Sequence, residues 1–172
     1  VSLRGSGDGD SREEGEMSTS VKSIKSFCQP VDYRETCEKA LRAAAGNATS
    51  PTDLAKAIFK VTSDRIEKAV RESAVLNELK NDPRTKGALD NCRELLDYAI
   101  DDLKTTFDRL GGFEMTNFKS AVDDLRTWLS SALTYQETCL DGFENTTTAA
   151  AGKMRRALNS SQELTENILA LV

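Results

Sequence analysis

Four cysteines (Cys28, Cys37, Cys92 and Cys139) and the complete absence of histidine bound the chemistry open to this 172-residue chain. Without imidazole the usual general base near neutral pH is missing, and with it the Ser-His and Cys-His nucleophile pairs. Most zinc sites and the Glu-x-x-His ligands of di-iron bundles fall away for the same reason. No metal and no cofactor is expected. Carboxylate pairs remain, but two acids working as acid and base need an apolar pocket to separate their pKa values. The acids of this chain fall on polar helix faces, so no catalytic residue is assigned and the chain reads as a non-enzyme.

An even cysteine count fits two disulfides in an oxidising compartment; the competing reading is four buried, reduced thiols. Three Asn-x-Ser/Thr triplets, at Asn47, Asn145 and Asn159, are glycosylation candidates and agree with a secreted, extracellular protein. The net charge is -5, from 23 Lys and Arg against 28 Asp and Glu, and no basic run stands out. Nucleic acid and anionic membrane surfaces are therefore not expected partners. No stretch reaches the roughly 18 to 20 apolar residues of a membrane span, and any export signal would lie outside this chain.

The composition, 6% aromatic with 10 Gly and 3 Pro, favours helices, and the expected class is all-α in one domain. Residues 1–20, rich in Gly, Ser and acids, read as a disordered leader. Residues 21–46 read as a short helical hairpin, with Pro30 in its turn and Asp32 and Glu35 spaced as a capping box. Ser50-Pro51-Thr52-Asp53 signals the start of a long helix reaching about Lys80, where Asp82-Pro83 stops it. Its buried stripe is Ala55, Ile58, Ile66, Ala69, Ser73 and Leu76, interrupted at Thr62. A second helix, about 84–110, aligns Leu89, Cys92, Leu96, Ala99, Leu103, Phe107 and Leu110. A third, about 117–140, aligns Phe118, Val122, Leu125, Leu129, Ala132 and Cys139, with Asp141-Gly142 closing it. A fourth, about 147–171, aligns Ala150, Met154, Ala157, Ser161, Leu164, Ile168 and Leu171. Four such helices with short links predict an antiparallel up-down-up-down bundle over 50–172.

Four cysteines allow three pairings. Cys28 and Cys37 flank one tight segment, while Cys92 near the start of one helix and Cys139 near the end of the next come level in antiparallel packing. Pairing them so closes loops worth about 2.7 and 4 kcal/mol of chain entropy.

The stretches SFCQPVDYRETCEKAL, GALDNCRELLDYAIDDL and DLRTWLSSALTYQETCLDGFEN together resemble the plant invertase and pectin methylesterase inhibitor family over residues 21–172. The resemblance implies a helical hairpin before a four-helix bundle, the same disulfide pairing, and a domain that binds cell-wall enzymes and blocks their clefts. Invertase inhibitors of the family carry Pro-Lys-Phe between the second and third bundle helices, whereas this chain has Asn117-Phe118-Lys119 nearby. That departure favours pectin methylesterase as the partner. The first and third stretches are most similar to the N-terminal pro-regions of pectin methylesterases, so the partner would be met in cis or in trans. A folding or export-retention module for an attached enzyme, or an invertase inhibitor, are the alternatives.

For the contact surface, the resemblance implies Glu94, Asp101, Thr138 and Asp141, and Asp97 joins them as lying on the same exposed side. Tyr98 stands where an inhibitor of the family can carry an acid. Independently, Glu94, Asp97 and Asp101 recur at three and four residues and form one acidic stripe opposite the core. Taken alone, such a stripe is a solvated helix face. Beside a basic cleft shaped for de-esterified pectin, it would mimic part of that polymer's charge.

Overall fold

A computed structural model describes residues 10–79, 82–110, 118–146 and 148–172. Among these residues there are six helices and no strand: α1 (Asp10–Phe27), α2 (Arg34–Ala44), α3 (Pro51–Leu79), α4 (Pro83–Leu110), α5 (Phe118–Asp141) and α6 (Ala150–Leu171). α3, α4, α5 and α6 close a ring in which α3 packs on α4 and α6, and α5 packs on α4 and α6. This is the expected antiparallel four-helix bundle. α2 lies against α3 and α6, and α1 against α2 and α3, so the hairpin leans on one side of the bundle. Cys28 is bonded to Cys37 and Cys92 to Cys139, as the sequence led us to expect.

Local signals explain some helix boundaries. Ser50 Oγ accepts the Asp53 N–H at 3.1 Å, and Pro51 opens α3, which satisfies one of the donors a helix start leaves bare. Asp82 does the same for α4: its Oδ2 accepts Thr85 Oγ1 at 2.6 Å and Thr85 N at 3.4 Å. The Thr85 hydroxyl bond is the main cause holding the Asp82 carboxyl below its usual range, so this cap is strongest ionised. Thr85 Oγ1 also meets Thr148 Oγ1 at 2.9 Å and so ties the start of α4 to the approach to α6.

Other boundaries depart from expectation. The Asp32/Glu35 capping box does not form. α2 begins two residues later, with Tyr33 at its N-cap and no side-chain cap bond of its own. Asn167 of α6 holds that entry instead, accepting Tyr33 N–H at 3.0 Å and donating to Tyr33 C=O at 2.9 Å. A distant amide that meets both backbone groups displaces the local carboxylate. Thr36 adds a hydroxyl bond to Glu163 Oε2. α1 starts at Asp10, inside the stretch read as a disordered leader. Its C-terminal turns pack, with Ile24 2% exposed, and a packed end lets a helix propagate outward at one bond per residue. Residues 1–9 of that leader lie outside the described residues.

The core follows the stripes with several amendments; in α6 Ala157 is only half-buried beside the fully buried Leu158, and Val122 and Leu171 are half-buried too. Thr62 is fully buried and closes the gap in α3 by donating its hydroxyl to Ile58 C=O at 2.7 Å, which removes the cost of burying it. Ala55 is only half-buried, and Leu54 takes the core position beside it. Phe107, assigned to the core, is 37% exposed, because its place at the edge of the α4 stripe sets it beside α3 rather than under it. Leu110 and Phe118 have side chains outside the described residues. The end of α5 also differs. Gly142 is not left-handed; the chain turns through Asn145 at φ 65°, after short-range bonds from Phe143 N to Leu140 O and Glu144 N to Asp141 O. Asparagine tolerates that conformation better than most residues.

Candidate functional site

The candidate contact surface is built on α4 and α5 near the bond joining Cys92 to Cys139, both of which are buried. α4 turns its core stripe of Cys92, Leu96, Ala99 and Leu103 inward. At about 100° per residue the opposite side carries Glu94, Asp97, Tyr98 and Asp101, and all four are exposed. Thr138 and Asp141 are exposed at the end of α5. Relative to Cys139, Thr138 is turned about 100° and Asp141 about 200°, so Asp141 points away from the core altogether.

The structure divides the acidic stripe. Asp97 and Asp101 line a groove between α3 and α4 together with Glu67, Arg71 and Lys104, so cations stand among those carboxylates. Glu94 belongs to the other flank. Its Oε1 accepts the Tyr98 hydroxyl at 2.9 Å, and this bond, followed by the charge of Glu94, raises the Tyr98 phenol above its ordinary range. The Tyr98 ring in turn lies against Tyr135 of α5, with centroids 5.6 Å apart and planes tilted by 49°. Glu94 and Tyr98 are thus brought to the α5 side, while Asp97 and Asp101 are not.

Asp102, one residue on, is half-buried, and its Oδ2 is shielded from solvent without a hydrogen-bond partner. Burial first, then the neighbouring charge of Asp101, pushes this carboxyl up.

The sequence reading missed the aromatic pair and the face it joins. From Thr127 to Gln136, TWLSSALTYQ, α5 runs ten residues without a charge, in a chain 30% charged overall. Thr127, Ser130, Ser131, Thr134 and Tyr135 line one shallow depression there with Arg126. The Thr127 and Thr134 hydroxyls donate back to Asp123 C=O at 3.0 Å and Ser130 C=O at 2.9 Å. Their polar demand is met within the helix, and the methyl groups are left to form the surface. Few charges and exposed tyrosine are the composition of an interface core. The charge gap was the visible signal.

The glycosylation candidates sit in different settings. Asn47 is exposed in the α2–α3 link, which leaves α2 through Gly46 at φ 56°, and Asn145 is exposed in the turn after α5. Asn159 is exposed in the middle of α6, and its Nδ2 reaches Glu163 Oε1 at 3.5 Å. Ser161, the third residue of that triplet, is fully buried and donates to Gln136 Oε1 at 2.7 Å. Among the described residues no helix is long and apolar enough to cross a membrane.

Comparison with known proteins places this arrangement. The family described as plant invertase/pectin methylesterase inhibitor matches residues 22–171. Among Arabidopsis thaliana proteins, probable pectinesterase/pectinesterase inhibitor 21 is 45% identical over 165 residues, covering 96% of this chain and 25% of its own length. Putative pectinesterase/pectinesterase inhibitor 28 is 43% identical, covering 95% of this chain and 22% of its own length. The chain thus spans about a quarter of the curated relatives it matches. A crystal structure of a mutant form of an Arabidopsis pectin methylesterase inhibitor shares the fold with TM-score 0.58 at 18% identity, over 83% of this chain and 95% of that one. Matched by the family over residues 22–171, nearly the whole length of its hairpin and four-helix bundle, this protein belongs to the plant invertase/pectin methylesterase inhibitor family.

Proposed function

We propose that the domain inhibits a pectin methylesterase by seating its α4–α5 surface at the enzyme's active-site cleft. The observation that carries the reading is the exposed Tyr98 ring, 46% accessible, which is braced by Tyr135 and anchored to Glu94 beside the uncharged face of α5. A rigid aromatic ring with a satisfied hydroxyl loses little entropy on docking, and such residues dominate binding energy at interfaces. Asp97, Asp101, Thr138 and Asp141 would form the polar rim, where charge sets association rate more than affinity. The domain itself supplies no chemistry; it obstructs.

Relatives whose names pair pectinesterase with pectinesterase inhibitor, and of which this chain matches about a quarter, support a role in cis as the pro-region of a longer precursor. A secreted, cell-wall setting is consistent with both disulfides. The test is to add the isolated chain to a pectin methylesterase and follow release of methanol. Saturable inhibition is expected, and Tyr98→Ala should weaken it. If the isolated chain leaves de-esterification untouched while raising the secreted yield of an attached enzyme, the folding and export role replaces inhibition. Inhibition of an acid invertase instead would reassign the target.

A further inference from the structure

Two of the Asn-x-Ser/Thr triplets, at Asn47 and Asn159, lie wholly within the described residues, and the fold treats them in opposite ways. Asn47-Ala48-Thr49 stands in the link between α2 and α3, outside any helix, with Asn47 and Thr49 both exposed. Asn159-Ser160-Ser161 stands in the middle of α6. There Asn159 is exposed, whereas Ser161 is fully buried. Such a triplet accepts a glycan only with Ser or Thr in third place. The transferring enzyme must therefore read that hydroxyl together with the asparagine amide.

Backbone geometry decides whether both groups can be read at once. In an extended segment residues i and i+2 point to the same side. In an α-helix, at about 100° per residue, they point about 200° apart. α6 accordingly turns the Asn159 amide to solvent and the Ser161 hydroxyl into the core. That hydroxyl is also engaged, donating to Gln136 Oε1 of α5 at 2.7 Å. Gln136, itself fully buried, donates to Thr165 Oγ1 at 3.0 Å, and Thr165 donates to Ser161 C=O at 2.7 Å. Extending residues 159–161 would break the helical turn and open this closed set of buried bonds, leaving polar groups unpaired in the core. In the α2–α3 link the triplet is already free of helix, and its amide and hydroxyl both belong to exposed residues.

We infer that Asn159 is a glycosylation site open only while α6 is undocked from α5, whereas Asn47 is one that stays open in the folded domain. The step at either site is a glycosyl transfer from a lipid-diphosphate oligosaccharide. A bond forms between Asn Nδ2 and sugar C1, and the bond from C1 to the diphosphate oxygen breaks. Nδ2 gives up one proton to a base of the transferring enzyme, and the lipid diphosphate leaves with the electron pair. Carbohydrate once attached at Asn159 projects from an exposed position, so it does not oppose later docking of α6. Occupancy there records which came first, the transfer or the closing of the α5–α6 seam. Occupancy at Asn47 carries no such record.

The test takes the unglycosylated 172-residue chain in two states, one oxidised and folded, the other reduced, alkylated and unfolded. Each is incubated with a purified oligosaccharyltransferase and a lipid-diphosphate N-acetylglucosamine donor, and glycopeptide mass spectrometry reads the occupancy of each asparagine. In the unfolded chain both Asn47 and Asn159 should be modified. In the folded chain Asn47 should keep its occupancy, while Asn159 should lose at least about tenfold, because a docked core helix opens in only a small fraction of molecules. Comparing each site with itself across the two states removes any intrinsic preference for Thr over Ser. Undiminished modification of Asn159 in the folded chain, an Asn159 left bare in the unfolded one, or an Asn47 that closes on folding would overturn the assignment. No pectin methylesterase enters the measurement, so its outcome is independent of the inhibitory reading.

Discussion

The two faces of α4 were built on different terms. Towards α5 the surface is poor in charge, braced by a tilted tyrosine pair and stapled by Cys92–Cys139. Towards α3 it is dense in lysine, aspartate and glutamate, with an edge-to-face phenylalanine pair below and no covalent link. A face rigid and nearly uncharged suits a large, preformed partner, because little side-chain freedom is lost on docking. The α3 side, where lysines alternate with acids around an apolar cleft, carries its charges already balanced and offers no such braced, uncharged contact.

The largest effect should come from removing the staple that makes the faces unequal. Cys92→Ala with Cys139→Ala is expected to cost about 4 kcal/mol, against about 2.7 kcal/mol for opening Cys28–Cys37, by loop-closure entropy. Thermal unfolding checks this, and equal losses would mean that the α4–α5 side owes nothing special to its bond.

Next in size is the contrast between the aromatic pairs. Tyr98→Ala should weaken inhibition of pectin methylesterase by about 30-fold, the size of a 2 kcal/mol hot spot, whereas Phe107→Ala should leave inhibition unchanged. Comparable losses from both would place the enzyme across the whole helix and erase the distinction.

Smaller again is Glu94→Ala, which deprives the Tyr98 hydroxyl of its acceptor and should weaken inhibition by about fivefold to tenfold, the size of one ordinary net hydrogen bond at an exposed site. Asp101→Asn, set among Arg71 and Lys104, should change it less than about twofold. Inhibition constants at two salt concentrations separate these. Equal effects would restore the unbroken acidic stripe.

The smallest effect concerns Asp102, whose carboxyl is raised by burial and then by Asp101. With a folded-state pKa above the unfolded one, folding retains the proton: the penalty is absent below the unfolded value, grows as pH rises from there towards the folded value and is complete above it. Asp102→Asn should therefore raise the melting temperature by about 1–2 °C at pH 7, and the gain should vanish near pH 4. A constant difference across that range would show that the shielded oxygen carries no charge-linked cost.

Much of the bundle was legible because its causes are local. Ser50-Pro51 caps α3 with atoms three residues apart, and the stripes on α3 to α6 follow from helical period alone. What escaped was set by distant partners. No reading of Asp32 and Glu35 foretells that Asn167, 134 residues away, will take the entry of α2. Phe107 fits the period of the core, yet its exposure depends on Phe59 across the groove. The site was half legible: spacing put Glu94, Asp97 and Asp101 on one face, but which flank each joins depends on Tyr135, Arg71 and Lys104. The charge gap in α5 was present in the sequence, although its meaning required Tyr98 to be seen against it.

The clasp between Tyr33 and Asn167 also imposes an order in time. The backbone groups that open α2 are made early, and their partner amide is added 134 residues later. At about 5–20 residues per second, roughly 7–27 s of synthesis separate the two halves. Until the last turns of α6 emerge, the hairpin waits with its entry unsealed, so the disulfide Cys28–Cys37 is what holds it ready for that late arrival.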